Sequence, residues 1–352
     1  MSPKPNYLPV MSNYTLTVLR QNHQDIPYLV AEDLKNHDAF YVMDNLSSYH
    51  REVHRIALQL ALEHLHGRMP PSWQTGVAFA QLGSGARSEQ SIFSDQDHAL
   101  LYGGFTSKVT SDEDAYYQKL GEVTAAMLHE IGYPFCTGNI MASNARWRGT
   151  LAMWEARIQE YADLPDWDNL RFLLIAADAR TVIGEKGLVA KIRQAVAHVV
   201  ARSPYIRYKV SDQALTQKVA LSLLGGIKLE VDPLHKGKFS IKEGLYSPLV
   251  NCVRIWALSM DVGEPSTTKR IERLIEKKAW TKDLALPILA ALETALYFRL
   301  RHHVKMALSG QTIDDYVSID ELSDAERERI KRAMRVTKQL SQITARQFPR
   351  PG

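Results

Sequence analysis

The sequence predicts an α+β fold: a small mixed-sheet domain flanked by an N-terminal helical segment and an all-α C-terminal domain. Three observations predict it. Short apolar runs of strand length, closed by glycine, fall between about residues 73 and 200. Before and after that zone, apolar residues recur at helical spacing instead. The chain has 352 residues, and at roughly 100–200 residues per domain that is room for more than one core. The expected boundaries are 1–72, 73–200 and 201–352.

The first fifteen residues contain three prolines and no apolar stretch, so they read as a loose arm and not as a signal peptide. Tyr49, Val53, Ile56 and Leu60 follow a helical stripe, and Gly67 with Pro70-Pro71 ends that helix. Val77–Leu82 and His98–Tyr102 are predicted strands, closed by Gly83 and by Gly103-Gly104. Thr110 and Glu113 form a capping box for a helix to Ile131, stopped by Gly132-Tyr133-Pro134. Phe135 to Ser143 is a further candidate strand. Past residue 205 the strand signal disappears, and helices are expected over 211–224, 246–260, 267–279, 284–308 and 324–345. Ser323 with Glu326 caps the last of these, and Pro287 starts or kinks the fourth.

Composition excludes several function classes. Hydrophobic residues make up 45% and charged residues 23%, as in ordinary soluble domains. With 43 basic and 39 acidic side chains the net charge is +4, too weak to argue for duplex DNA. No stripe of interleaved aromatic and basic residues offers a single-strand platform, so nucleic acid is not the expected partner. Two cysteines, Cys136 and Cys252, exclude a disulfide scaffold and fit a reducing, cytoplasmic setting. The longest apolar stretch, Leu284–Phe298, is interrupted by Pro287 and Glu293 and falls short of the roughly 20 residues a membrane span needs.

One segment carries chemistry. Gln81 to Tyr102 reads as strand, Gly-Ser turn, polar loop, then Asp95-x-Asp97 opening a second strand. Residues two apart on a strand project to the same side, so the two carboxylates should stand together. Paired carboxylates repel unless cations lie between them, and hard oxygen ligands favour Mg²⁺, in a one- or two-ion site. The Gly83-Ser84 turn can bring backbone N–H groups and a hydroxyl to phosphate oxygens, and Arg87 could neutralise a polyphosphate. With 20 Asp, about one Asp-x-Asp is expected by chance, and there are three. Asp112/Asp114 sits in a helix start and Asp166/Asp168 in an acidic loop, so context alone singles out Asp95/Asp97. An EF-hand is excluded by Ala99 and Leu100 at its ligand and glycine positions, and a Walker loop by the missing Gly-Lys-Ser/Thr.

Gly-Ser followed by Asp-x-Asp resembles the signature of the polymerase-beta-like nucleotidyltransferase superfamily. The fuller string Gly83-Ser84-x-x-Arg87-x-Glu89-Gln90 through Ser94-Asp95-x-Asp97 is similar to its protein-PII uridylyltransferase branch, and closest to nucleotidyltransferases of bacterial signalling proteins. Gly132 to Cys136, Met141 to Arg148, Lys238 to Lys242, Pro248 to Val250 and Arg254 to Leu258 extend the resemblance over about residues 50–345. The CBS and cyclic-nucleotide domains often fused to such proteins are absent, so a stand-alone member is expected. The resemblance implies an NTP substrate, Mg²⁺ on Asp95 and Asp97, a nucleotide site that includes Gly83, Ser84, Arg87 and Glu89, and a protein acceptor of PII type presented by the helical domain. A third carboxylate is common in the superfamily, and the best candidate is Asp178, after the apolar run Phe172–Ala177 and before Ala179-Arg180; the plainer reading is a helix with an Asp–Arg surface pair. The other candidate strand, Phe135–Ser143, contains no acid, so if Asp178 does not serve, the third ligand is missing. Ala86 stands where the family usually has Gly. The alternative function is a nucleotide-binding signalling module without turnover, and transfer to an RNA end is disfavoured by charge.

Other features have plainer readings. His50 and His54 read as a solvated helix face and His302-His303 as surface. His235-Lys236-Gly237-Lys238 and Lys242 form a basic patch between helices, either a solvated charge run or binding the triphosphate or acceptor. Trp147-Arg148 is expected to pack the core, and Cys136 to be a buried small hydrophobe.

Overall fold

The computed structural model describes residues 7–9, 11, 13–65, 76–105, 108–222 and 224–351. The N-terminal segment is two helices. α1 (Leu16–Asn36) is capped by Thr15 and α2 (Ala39–His64) by Asp38. The expected stop at Gly67 and Pro70-Pro71, like the 72/73 boundary, lies outside the described residues.

The sheet is mixed and has the order β3-β2-β1-β4. β1 (Ala78–Gln81) runs antiparallel to β2 (His98–Tyr102), as the apolar runs predict. α3 (Gly83–Arg87) fills the Gly-Ser turn between them. α4 (Ser111–Ile131) starts at the Thr110/Glu113 capping box. The candidate strand 135–143 is a loop with only a bridge from Gln96 to Phe135; the parallel partner of β2 is β3 (Arg148–Thr150), too short to show alternation. After α5 (Leu151–Asp163) and α6 (Trp167–Ala176), β4 (Arg180–Gly184) pairs with the other edge of β1. β1 and β2 are buried throughout, and α4 and α2 pack together over the smaller of two cores.

α7 (Lys186–Arg202) leads into the C-terminal helices. The helix expected over 211–224 is instead α8 (Pro204–Ala214), because Ser203 caps it and Pro204 occupies its first turn. A π-helical turn (Lys242–Tyr246) precedes α9 (Ser247–Ser259), followed by α10 (Thr267–Glu276), α11 (Lys282–Leu308) and α12 (Asp324–Gln347). Ser323/Glu326 forms its capping box, and Pro287 lies inside α11, which Thr281 caps. The strand signal does not vanish entirely: β5 (Lys238–Ser240) and β6 (Tyr316–Ser318) pair across this region. α1 packs on α4 and on α11, so the N-terminal helices join sheet and helical region. Among the described residues no helix is long and apolar enough to cross a membrane.

Candidate functional site

The loop after β1 and the residues entering β2 lie side by side, held by Leu82 N–H donating to the Asp97 carbonyl at 3.0 Å. Gly83 has φ +56°, and a Cβ there would sit 2.9 Å from Asp97 Oδ2. A side chain there is therefore strained in the backbone and forces the Asp97 carboxylate to shift. Between the two aspartates, Gln96 is fully buried and donates to the carbonyls of Ala125 and Tyr133 at 3.1 and 3.2 Å. That anchor leaves the flanking carboxylates together on the other side.

Asp95, Asp97 and Cys136 each offer a ligand atom within 4.8 Å of the others. Asp97 Oδ1 is buried and has no hydrogen-bond partner in the described structure. Burial, and then the Asp95 charge, push the Asp97 carboxyl up to about 7, while a hydrogen bond from Cys136 pulls the other way. Burial, then the Asp97 charge, push the Cys136 thiol up to about 12, so with no cation bound the sulfur is an S–H donor to Asp97. A repelling carboxylate pair with an orphaned buried oxygen fits a hard divalent cation.

These groups face a cleft of about 660 Å³ between the sheet region and the C-terminal helices. Gly83, Ser84, Asp95 and Asp97 line one side. Lys242, Arg254 and Arg299 come from the C-terminal region, and Arg171 from α6. Lys238 does not line it; it lies on β5, so the expected basic patch is divided.

Arg87 lines the same cleft, but its guanidinium is engaged in a buried network that includes Glu89. Arg87 is buried and donates from Nε to Glu89 at 2.7 Å, from Nη1 to Asp178 at 2.5 Å and from Nη2 to the Tyr246 hydroxyl at 2.9 Å. The Tyr246 hydroxyl in turn donates to Glu89. All three Arg87 nitrogens thus have partners, and both residues tie α3 to the turn before α9.

Asp178, expected as the third carboxylate, lies apart from the Asp95/Asp97 pair. It is 1% exposed and does not line the cleft. Its oxygens accept from Arg87, from Arg254 Nη2 at 2.7 Å and from Arg270 Nη2 at 2.6 Å. Burial raises its carboxyl, but the Arg254, Arg270 and Arg87 guanidiniums outweigh that and hold it well below the usual carboxylate range. With every oxygen engaged by guanidinium, it serves as the hub joining α3, α9 and α10. Among the described residues no third carboxylate joins Asp95 and Asp97.

Ala86 needs no glycine. It is fully buried inside α3, and the positive φ angles of this stretch belong to Gly83 and Ser88. The histidines also depart from expectation. His50 is fully buried, with Nδ1 2.7 Å from the Tyr133 hydroxyl and Nε2 3.0 Å from the Ser91 carbonyl. His54 is buried beside it, and His303 is buried between Ser91 and Asp315. Only His302 keeps partial exposure, against Asp314. Trp147 packs in the core as expected.

Residues 24–168 match the family model described as "Putative nucleotidyltransferase DUF294", and residues 205–348 match the "Putative nucleotidyltransferase substrate binding domain". The two matches lie in succession along the chain and support a nucleotidyltransferase. The first match contains Gly83, Ser84, Asp95 and Asp97, and the second contributes Lys242, Arg254 and Arg299 to the same cleft. The comparison with curated proteins found no match. Arg171, Arg299 and Tyr246 were not legible as site residues, because only folding brings them to the cleft, and Cys136, expected as a buried small hydrophobe, is buried but lines the cleft beside Asp97.

Proposed function

We propose that this nucleotidyltransferase moves an NMP from an NTP to an acceptor hydroxyl and releases pyrophosphate, using Mg²⁺ held by Asp95 and Asp97. The observation that carries the reading is the orphaned Asp97 Oδ1 beside Asp95, facing a cationic cleft wall. Bound Mg²⁺ would supply charge neutralisation for the phosphates and for the developing charge on the leaving oxygen.

The chain's own residues do the rest by positioning. Gly83 lets backbone approach a phosphate next to Asp97, and Ser84 offers a hydroxyl at the same edge. Lys242, Arg254, Arg171 and Arg299 bring positive charge to the opposite wall. Arg299 is partly neutralised by Asp315 at 2.7 Å, whereas Lys242 lies 4.0 Å from that carboxylate. The Cys136 thiol, by donating to Asp97, orients its carboxylate.

The acceptor we propose is a protein hydroxyl, presented by the helical domain to the cleft, with a PII-type regulator as the precedent from the sequence resemblance. Incubation with each α-labelled NTP, Mg²⁺ and cell lysate, followed by identification of the labelled species, tests this. A labelled protein supports the reading. A labelled RNA or metabolite overturns the protein acceptor, and no transfer to anything, with NTP bound, favours the alternative of a binding module without turnover. The absence of a third carboxylate at the pair is the observation that keeps that alternative in view.

A further inference from the structure

A second cationic cavity, of about 670 Å³, lies between α2, β4, α7 and α10, and it shares no lining residue with the cleft that holds Asp95 and Asp97. Its cations are Arg51, Arg180, Lys186, Arg193, Lys269 and Arg273. Lys269 and Arg273 are paired with Glu272 and Glu276 at 2.7 and 2.6 Å. Among the described residues the other four have no carboxylate within 4.0 Å. Glu264 is the only remaining carboxylate in the lining.

The three half-buried arginines are held in place by neutral acceptors. Arg51 donates to the Ser48 and Ser88 hydroxyls at 2.9 and 3.3 Å. Arg180 donates to the Ala86 carbonyl at 2.6 Å. Arg193 donates to the carbonyls of Gly263 and Ala179 at 2.8 and 2.9 Å. Burial, and then the Arg180 charge, lower the Arg51 guanidinium from its ordinary value, with Asp44 acting against them. Burial lowers Arg193 as well, with Glu264 acting against it and Arg180 with it. Glu264, Asp44 and Glu89 attract Arg180 from a distance without closing an ion pair. Like charges fixed around a cavity, with their neutralisation incomplete, favour an anion between them.

We propose that this cavity binds a small molecule carrying a di- or triphosphate, at a site separate from catalysis. Guanidiniums in fixed, pre-oriented positions match phosphate oxygens. A neighbouring cavity of about 250 Å³ shares Arg180 and Lys269, is lined by Phe40, Met43, Leu292 and Leu296, apolar surface suited to a ring attached to the phosphates, and meets the cleft wall at Arg87. The bound anion would also bear on catalysis through one element, because Arg180 and Arg51 hold Ala86 and Ser88 at the far end of α3, whose first residues line the cleft.

The proposal stands whether or not the chain turns over NTP, and the test reflects that. Binding of tripolyphosphate and of ATP is measured by calorimetry on the full chain in EDTA, where the Asp95/Asp97 pair without metal repels a polyanion. One equivalent should bind to the wild type. Arg193→Gln should weaken binding about tenfold or more, as loss of a charge-assisted contact does. Exposed Lys186→Gln, which puts no packing at risk, should weaken it by a smaller factor, and Lys242→Ala in the cleft should leave it unchanged. Tighter binding of ATP than of tripolyphosphate would assign the apolar cavity to the base, and equal or weaker binding would assign the site to the polyphosphate alone. No binding to the wild type, or binding that Lys242→Ala weakens and Lys186→Gln and Arg193→Gln do not, overturns the proposal.

Discussion

Gly83 and Asp97 touch across the floor of the cleft: a Cβ on Gly83 would stand 2.9 Å from Asp97 Oδ2, on a backbone already at φ +56°. The glycine that allows the turn and the carboxylate suited to a cation are thus one steric unit.

Gly83→Ala should therefore damage the site more than the fold. The strained φ costs on the order of 1 kcal/mol of stability, a small shift in a thermal melt. Transfer activity should fall by about 10²-fold, as an ångström-scale displacement of reacting groups does. Parallel melting and steady-state kinetics check the split, and a fold loss without a kinetic defect would contradict the contact.

Asp178→Asn should act in the opposite sense. It leaves Arg87, Arg254 and Arg270 buried around a neutral group. Removing one partner of a buried ion cluster costs about 3–5 kcal/mol. Urea unfolding should show that loss. A variant with wild-type stability and no activity would instead restore Asp178 to a catalytic role.

Acid stability follows from the buried histidines. Burial, its largest cause in each case, lowers His54 to about 4, His23 and His98 to about 3, and His50 well below its ordinary value. Unfolded, each regains a value near 6.5 and takes up a proton that the folded state refuses. Their contribution is complete above pH 6.5 and is lost as pH falls towards the folded values, by up to about 1.4 kcal/mol per histidine per pH unit. Asp97, pushed up to about 7, acts in the opposite sense over the same window, because the folded state keeps a proton that the unfolded carboxyl releases. Four histidines outweigh one carboxyl, so melting temperature should drop from pH 6 to 4. Asp178, held well below the usual carboxylate range, does not titrate in that window. A flat profile down to pH 5 would show that the histidines are accessible to protons.

The divided basic patch gives a paired comparison. Lys242 lines the cleft and Lys238 does not. Lys242→Glu should raise the KM for NTP or acceptor by about tenfold or more, the scale of one charge-assisted contact, and Lys238→Glu should change it little. Equal effects of both would mean that the patch acts as one surface.

The contrast between Asp95/Asp97 and Asp178 explains what the sequence made legible. The first pair is a local pattern, in which a Gly-Ser turn, an apolar run on each side and a two-residue spacing are all read within the 26 residues from Val77 to Tyr102. The partners of Asp178 stand 91, 76 and 92 residues away, so the short Ala-Asp-Ala-Arg stretch carries no sign of them. His50 and His54 mislead in the same way: neighbours on a helix suggest a solvated face, and Tyr133, 83 residues on, is what covers them. β3, with three residues and Gly149 at φ +147°, is too short for any period to register. Long helices with capping boxes, by contrast, declare themselves through purely local chemistry, as α4 and α12 do.

The most direct test of the account is turnover of α-labelled NTP, with Mg²⁺ varied, by the wild type and by Asp95→Asn, Asp97→Asn and Asp112→Asn. The account predicts Mg²⁺-dependent turnover that both cleft variants abolish, while Asp112→Asn, in the first turn of α4, retains it. Wild-type transfer by Asp95→Asn or Asp97→Asn would contradict the assignment of the metal and with it the proposed mechanism.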